Sequence, residues 1–187
     1  MTSEGNEITF ASNHLAAVLL TRKLMPLLRS SIVKGAGNAR ILAVSSSGHE
    51  MSPPIDWDNL QMATGHHAGA AYCFAKLANI LFTRELDRRF AGEGIVAQAM
   101  HPGVIGSNFV SHTSPETQAY MNTLDLKSPD WPARTLFWMA TAPETGLPGG
   151  RYFHDMTEAP SSAASQDMAS AARLWDESEA ILARLGY

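Results

Sequence analysis

Tyr72 and Lys76 stand four residues apart in the run Ala71-Tyr72-Cys73-Phe74-Ala75-Lys76-Leu77-Ala78-Asn79. On a helix that spacing places both side chains on one face, where an ammonium lowers the pKa of a phenol. A phenol titrates near ~10, so bringing it to about 7 takes roughly 4 kcal/mol of differential stabilisation. A phenol tuned in this way can give or take a proton at a reacting oxygen. The pair alone is a weak signal, because Tyr and Lys meet at this spacing on many helices. Its weight comes from the segments around it.

Upstream, Ala39-Arg40-Ile41-Leu42-Ala43-Val44-Ser45-Ser46-Ser47-Gly48 reads as a buried apolar strand ending in hydroxyls. Before it, Ser12-Asn13-His14-Leu15 lies near the start of a helical stretch. Downstream, Ile95-Val96-Ala97-Gln98-Ala99-Met100 runs into His101-Pro102-Gly103-Val104. In this order the four segments resemble the short-chain dehydrogenase/reductase family. Asn13-His14-Leu15, Lys76-Leu77-Ala78-Asn79, Leu81-Phe82-Thr83-Arg84-Glu85-Leu86 and His101-Pro102-Gly103-Val104 are similar to the wording of its retinol-dehydrogenase-like branch. The resemblance extends over nearly the whole chain.

That resemblance implies an NAD(P)-dependent oxidoreductase acting on an apolar carbonyl compound or its alcohol, with the branch leaning to NADP. By it, Tyr72 is the proton donor or acceptor, and Lys76 keeps the phenol acidic and touches the cofactor ribose. Ser46 hydrogen-bonds the substrate oxygen, with Ser45 the alternative. Asn13 holds a water that links Lys76 to solvent. In the turn Pro102-Gly103, the backbone of Val104 meets the nicotinamide carboxamide, and Ser107 takes the place of a hydroxyl that meets the phosphates. The residues Gly106-Ser107-Asn108 depart from the commoner Arg-Thr or Arg-Ser pairing, and Ala75 replaces a serine.

Members of the family open with a strand, a glycine-rich turn and a helix whose N-terminus holds the cofactor's pyrophosphate. Here the Gly-x-Gly of Gly35-Ala36-Gly37 precedes a strand and reads as a helix-to-strand loop. The expected fold is therefore α/β, the C-terminal part of a Rossmann-type doubly wound parallel sheet with the first strands missing. All of residues 1–187 belong to one such domain. A second expectation follows: a truncated, non-catalytic remnant of the family, or a module that pairs with another chain, because an uncovered strand edge invites pairing.

The chain has 187 residues, 45% hydrophobic and 17% charged, an ordinary composition for one domain with a core. A net charge of -4 without a long basic run excludes nucleic acid as the expected partner. The single cysteine, Cys73, precludes an internal disulfide and suits a reducing cytoplasm. No apolar run approaches the ~20 residues of a membrane span, and Met1 to Glu7 is polar, unlike a signal peptide. A cytoplasmic protein, as a homodimer in keeping with the family, is the expectation. His66-His67 and His49 match no standard zinc spacing and read as exposed loop histidines, so no metal is expected.

Periodicity predicts a long helix from about Glu7 to Ser31, burying Phe10, Leu15, Val18, Leu19, Leu24 and Leu27, with a kink or break at Pro26. A strand follows at Arg40 to Ser46, covered on both faces, and then a long connection. A helix from Ala68 to Phe90 buries Leu77, Ile80, Leu81 and Leu86, and a second strand runs from Ile95 to His101. Gly103 to Lys127 reads as an irregular lid whose Tyr120 and Met121 line the substrate mouth. A helix begins at Ser128-Pro129-Asp130-Trp131-Pro132 and ends near Thr141, with Trp131 and Trp138 on one face. Gly149 to Phe153 is a short strand, Ser161 to Ser165 a linker, and Gln166 to Leu185 a closing helix.

Overall fold

The computed structural model describes residues 1–34, 37–108, 111 and 113–187; Gly35 and Ala36 of the Gly-x-Gly stretch lie outside them. A sheet of order β1-β2-β3-β4 forms the centre, from β1 (Ala39–Val44), β2 (Ile95–Met100), β3 (Tyr152–His154) and β4 (Thr157–Glu158). The first three strands run parallel and β4 returns antiparallel to β3. Ala39 pairs with Ile95 and Val44 with Met100, so the carboxyl ends of β1 and β2 finish side by side.

Helices lie on both faces, as parallel strands require. The helix α3 (Ala68–Phe90) connects β1 to β2 with the bounds that its periodicity predicts. It packs with α2 (Ala16–Val33) and α6 (Met168–Arg184) around Phe10, Leu15, Val18, Phe74, Leu77, Leu81, Leu86, Leu174 and Leu182. On the other face, α5 (Asp130–Thr141) sets Met139 and Trp138 against Met100 and Phe153. The short α4 (Pro115–Met121) lies in the connection between β2 and α5, with Tyr120 exposed.

All six residues of β2 are buried, whereas those of β1 are only partly covered. The expectation of a first strand covered on both faces is thus corrected: β1 is the edge of the sheet among the described residues, and an edge strand keeps access to water.

The N-terminal helix departs from expectation in three ways. It opens as α1 (Ile8–Phe10), widens into a π turn at Ala11–Leu15, and continues without a break through Pro26. Pro26 is exposed, so the Arg22 carbonyl that loses its intrahelical donor lies on the helix's outer side. Leu24 and Leu27 are not core residues. Leu27 is 67% exposed, and Met25 is buried in their place. Met25 follows buried Val18 by close to two turns and so shares its face, whereas Leu27 falls on the opposite side.

Three side chains tie the elements together. Glu85, buried on α3, receives Arg88 at 2.7 Å and Arg89 at 2.6 Å, which hold its carboxyl below the usual range. Arg84 donates to the carbonyls of Gly150 and Ser165 and to Ser161 Oγ. The stretch predicted as a linker is therefore anchored, with a 3-10 turn at Ala163–Gln166 and Ser165 buried. Gln98, in the middle of β2, donates to the carbonyls of Thr145, Gly146 and Pro148 and accepts from the Arg151 N–H.

Candidate active site

The polypeptide leaves β1 through Ser45 and Ser46, and the two hydroxyls diverge. Ser45 continues the ladder, its N–H bonded to the Met100 carbonyl at 2.7 Å, and its buried Oγ donates to the Lys76 carbonyl at 2.7 Å. Ser46 instead caps the 3-10 turn Ser47–Met51, its Oγ accepting the Gly48 N–H at 3.0 Å. That leaves the Ser46 O–H as a donor, and it hydrogen-bonds the Tyr72 phenol. Gly48 lies between them: a methyl group there would come within 3.3 Å of Ser46 Oγ and 3.4 Å of the Tyr72 ring.

Tyr72 and Lys76 lie on the first turns of α3, which begins where His67 accepts the Ala70 N–H. Phe74, between them in sequence, faces inward and stacks on Phe10 with centroids 5.8 Å apart, which turns Tyr72 toward the ends of the strands. Lys76 Nζ lies 5.4 Å from the centroid of the Tyr72 ring and donates to the Val44 carbonyl at 3.4 Å. Ser46, Tyr72 and Lys76 are therefore together at the carboxyl end of β1. In parallel α/β sheets this is the end where ligands bind.

The electrostatics differ from the sequence expectation. Burial raises the Tyr72 pKa, and the Ser46 hydrogen bond only partly offsets it. Burial also lowers the pKa of Lys76. In this conformation the ammonium sits over the ring and bonds a backbone carbonyl, so desolvation of the phenolate outweighs its pull.

Asn13 stands apart. It lies in the π turn, and its Nδ2 donates to the Thr9 carbonyl at 3.1 Å and to Ser12 Oγ at 3.2 Å within its own helix. The turn after β2 reaches the same end of the sheet. Gly103 adopts φ +84° and its N–H donates to His101 Nδ1 at 3.0 Å. The Val104 carbonyl accepts from Lys127 at 3.0 Å, and Gly106 N–H returns the bond to the Lys127 carbonyl, pinning the strip that leads to Ser107. Ser107 is exposed, and Pro102 is partly buried beside Gly103.

His66 and His67 are exposed as predicted, but His49 is not. It is 1% exposed, donates from Nδ1 to the Ser46 carbonyl at 2.7 Å and accepts the Ser162 N–H at Nε2. Both ring nitrogens are engaged by backbone groups, which makes it a brace behind Ser46. Among the described residues no group of three or more His, Cys, Asp or Glu could hold a metal ion. No described helix is long and apolar enough to cross a membrane.

Sequence reasoning missed His154. It ends β3, stacks on His101 and borders the Gly103 turn. Trp131 borders it too, while Trp138 packs on Phe153, so the predicted common face of the two tryptophans meets β3. A hint was present in the paired histidines that end two adjacent strands, but only their register makes them neighbours.

The residues fit one end of a nicotinamide cofactor. An ammonium, a phenol and a glycine turn with close backbone approach are the donor set for its ribose and carboxamide. A strand, glycine-rich turn and helix for the pyrophosphate has no counterpart among the described residues.

No family model matches the sequence. The chain is 35% identical over 185 residues to human retinol dehydrogenase 13 and 36% identical over 178 residues to human retinol dehydrogenase 11. Each alignment covers 95% of this chain and 54% of the relative, so the chain spans about half the length of the curated relatives it matches. Among solved structures, an uncharacterized protein from Mycobacterium paratuberculosis superimposes with a TM-score of 0.70 at 30% identity, over 97% of this chain and 60% of that one. The 3-ketoacyl-(acyl-carrier-protein) reductase of Brucella melitensis, complexed with NADH, matches with a TM-score of 0.57 at 20% identity, over 82% of this chain and 59% of that one. That likeness is one of fold.

Proposed function

Because the chain belongs to the short-chain dehydrogenase/reductase family, in its retinol-dehydrogenase-like branch, we propose that it serves the NAD(P)-dependent interconversion of an apolar carbonyl compound and its alcohol. The observation that carries this reading is the meeting of Ser46, Tyr72 and Lys76 at the carboxyl end of β1. The substrate class rests on the relatives, which are named for retinol, an apolar alcohol.

The nicotinamide supplies the hydride. Burial keeps Tyr72 in its phenol form at neutral pH, so its O–H can pass a proton to the carbonyl oxygen. Ser46 can turn the one O–H it gives Tyr72 toward the same oxygen and steady the charge that builds there. Lys76 balances the phenolate that remains and holds the ribose. The backbone of Gly103 and Val104 orients the ring, and Pro102 stiffens the turn before them. Asn13 assists only through a water, since its amide is engaged by Thr9. Ser107, exposed at the end of the pinned strip, would be the hydroxyl that meets the phosphates.

The test is a titration of the purified chain with NADPH and with NADH, following the cofactor's fluorescence. Saturable binding is expected, weakened by Lys76→Ala. Absence of binding at about 1 mM cofactor would sink the reading for this chain and favour the alternative, a non-catalytic module that pairs through the β1 edge.

A further inference from the structure

Three rings enclose the turn after β2, and its shape depends on one ring nitrogen. The Gly103 N–H donates to His101 Nδ1 at 3.0 Å, so that nitrogen is bare and the proton of the neutral imidazole sits on Nε2. His154 lies nearly flat on His101, with centroids 4.0 Å apart and 19° between the planes. Its Nδ1 is 3.2 Å from the His101 carbonyl, an acceptor only, so here the proton is on Nδ1. Trp131 closes the far side, its centroid 5.5 Å from that of His154. A methyl group on Gly103 would come within 2.9 Å of Trp131 Cζ3 and 3.5 Å of His154 Cε1.

We propose that His154 is a positioning residue, whose stacking holds the His101 ring with Nδ1 beneath the Gly103 N–H and so sets the backbone that presents Val104 to the nicotinamide. This rests on the role given to Val104 above. Rotation of the His101 ring would take away the acceptor, and since glycine adopts a φ of +84° as readily as others, that bond rather than steric preference selects it. The His154 ring blocks that rotation on one face, while its own bond to the His101 carbonyl keeps it in place.

The arrangement has a pH limit. Protonating His101 converts Nδ1 from acceptor to donor and turns it against the Gly103 N–H. The titratable groups that act on His101 are His154 from β3 and His49 from the turn after β1, both imidazoles. With burial they lower its pKa to about 4. An unfolded chain binds this proton at the ordinary value near ~6.5. Acid therefore favours unfolding increasingly as the pH falls from that value to about 4, while at neutral pH the latch is complete.

The experiment follows the Gly103 amide and the His101 ring nitrogens by NMR in the isolated chain, across pH. In the wild type, Nδ1 should stay unprotonated through the neutral range and titrate in acid. His154→Ala should raise that titration, shift the Gly103 amide and speed its hydrogen exchange about tenfold, as expected for loss of one hydrogen bond. His154→Phe, which keeps a stacked ring, should restore most of the wild-type amide behaviour. It also serves if the alanine variant does not fold. An unchanged Gly103 amide and His101 titration in His154→Ala, or in His154→Gln as the folded substitute, would overturn the proposal.

Titration with NADPH then separates the two levels. Weaker binding by His154→Ala, recovered in His154→Phe, supports the link to Val104, and equal affinity refutes it. A wild-type chain that binds no NADPH refutes the function proposed above, and the NMR comparison still decides whether His154 positions the turn.

Discussion

Tyr72→Phe will lower carbonyl reduction by about 10²–10⁴-fold, the contribution of a positioned proton donor. The substitution removes a single oxygen from a half-buried ring whose packing is otherwise unchanged. Stability should fall only by the about 0.5–1.5 kcal/mol of the hydrogen bond with Ser46. Activity and folding are thereby separated: consumption of reduced cofactor collapses while the denaturation midpoint barely moves. The pH profile carries a sign. Because burial raises the Tyr72 pKa above its ordinary value near ~10, reduction should be flat through the neutral range and decline only in strong alkali. Alcohol oxidation, which needs the phenolate, should climb over the same range. Reduction retained in the phenylalanine variant would remove Tyr72 from the proposed chemistry.

Gln98→Leu will destabilise the chain by about 3 kcal/mol, a large part of the ~5–15 kcal/mol that holds a small domain together. Leucine matches the volume of glutamine, so the loss comes from hydrogen bonds. Gln98 is fully buried on the central strand and joins the carbonyls of Thr145, Gly146 and Pro148 to the N–H of Arg151. Arg151 still serves the Gly146 and Pro148 carbonyls in the variant. The carbonyl of buried Thr145 and the Arg151 N–H lose their partner, and each unpaired buried group costs about 1–3 kcal/mol. Urea unfolding at unchanged slope measures the shift. A difference below about 1 kcal/mol would mean that water replaces the amide.

Much of this architecture can be read from local pattern. Alternation and apolar runs locate β1 and β2, and α3 carries its own boundaries in His67 and in Gly92-Glu93-Gly94. The grouping of Ser46 with Tyr72 and Lys76 follows from strand-end hydroxyls and a helical spacing of four. What escapes is set by partners distant in sequence. His154 meets His101 across 53 residues through strand register alone. Gln98 reads as one polar interruption of an apolar strand, because the carbonyls it serves belong to a loop that periodicity leaves blank. The lowered phenol pKa expected beside Lys76 is outweighed at Tyr72 because spacing reports proximity and says nothing of burial. Leu24 and Leu27 fail because, at about 100° a residue, counting on from buried Val18 leads to Met25 and leaves both leucines on other faces.

The π turn of the N-terminal helix gives the chain one place that tolerates a change of length. A five-residue repeat closing at Ala11–Leu15 accommodates one surplus residue. Deleting one residue there would restore ordinary winding and leave the segments on either side facing as they do now. Phe10 would keep its stacking on Phe74, and the Glu7 amide its bond to Gln61 at 2.9 Å. Surplus and seating are thus separable: the amino-terminal arm stays docked because the wide turn takes up the additional residue without passing it on.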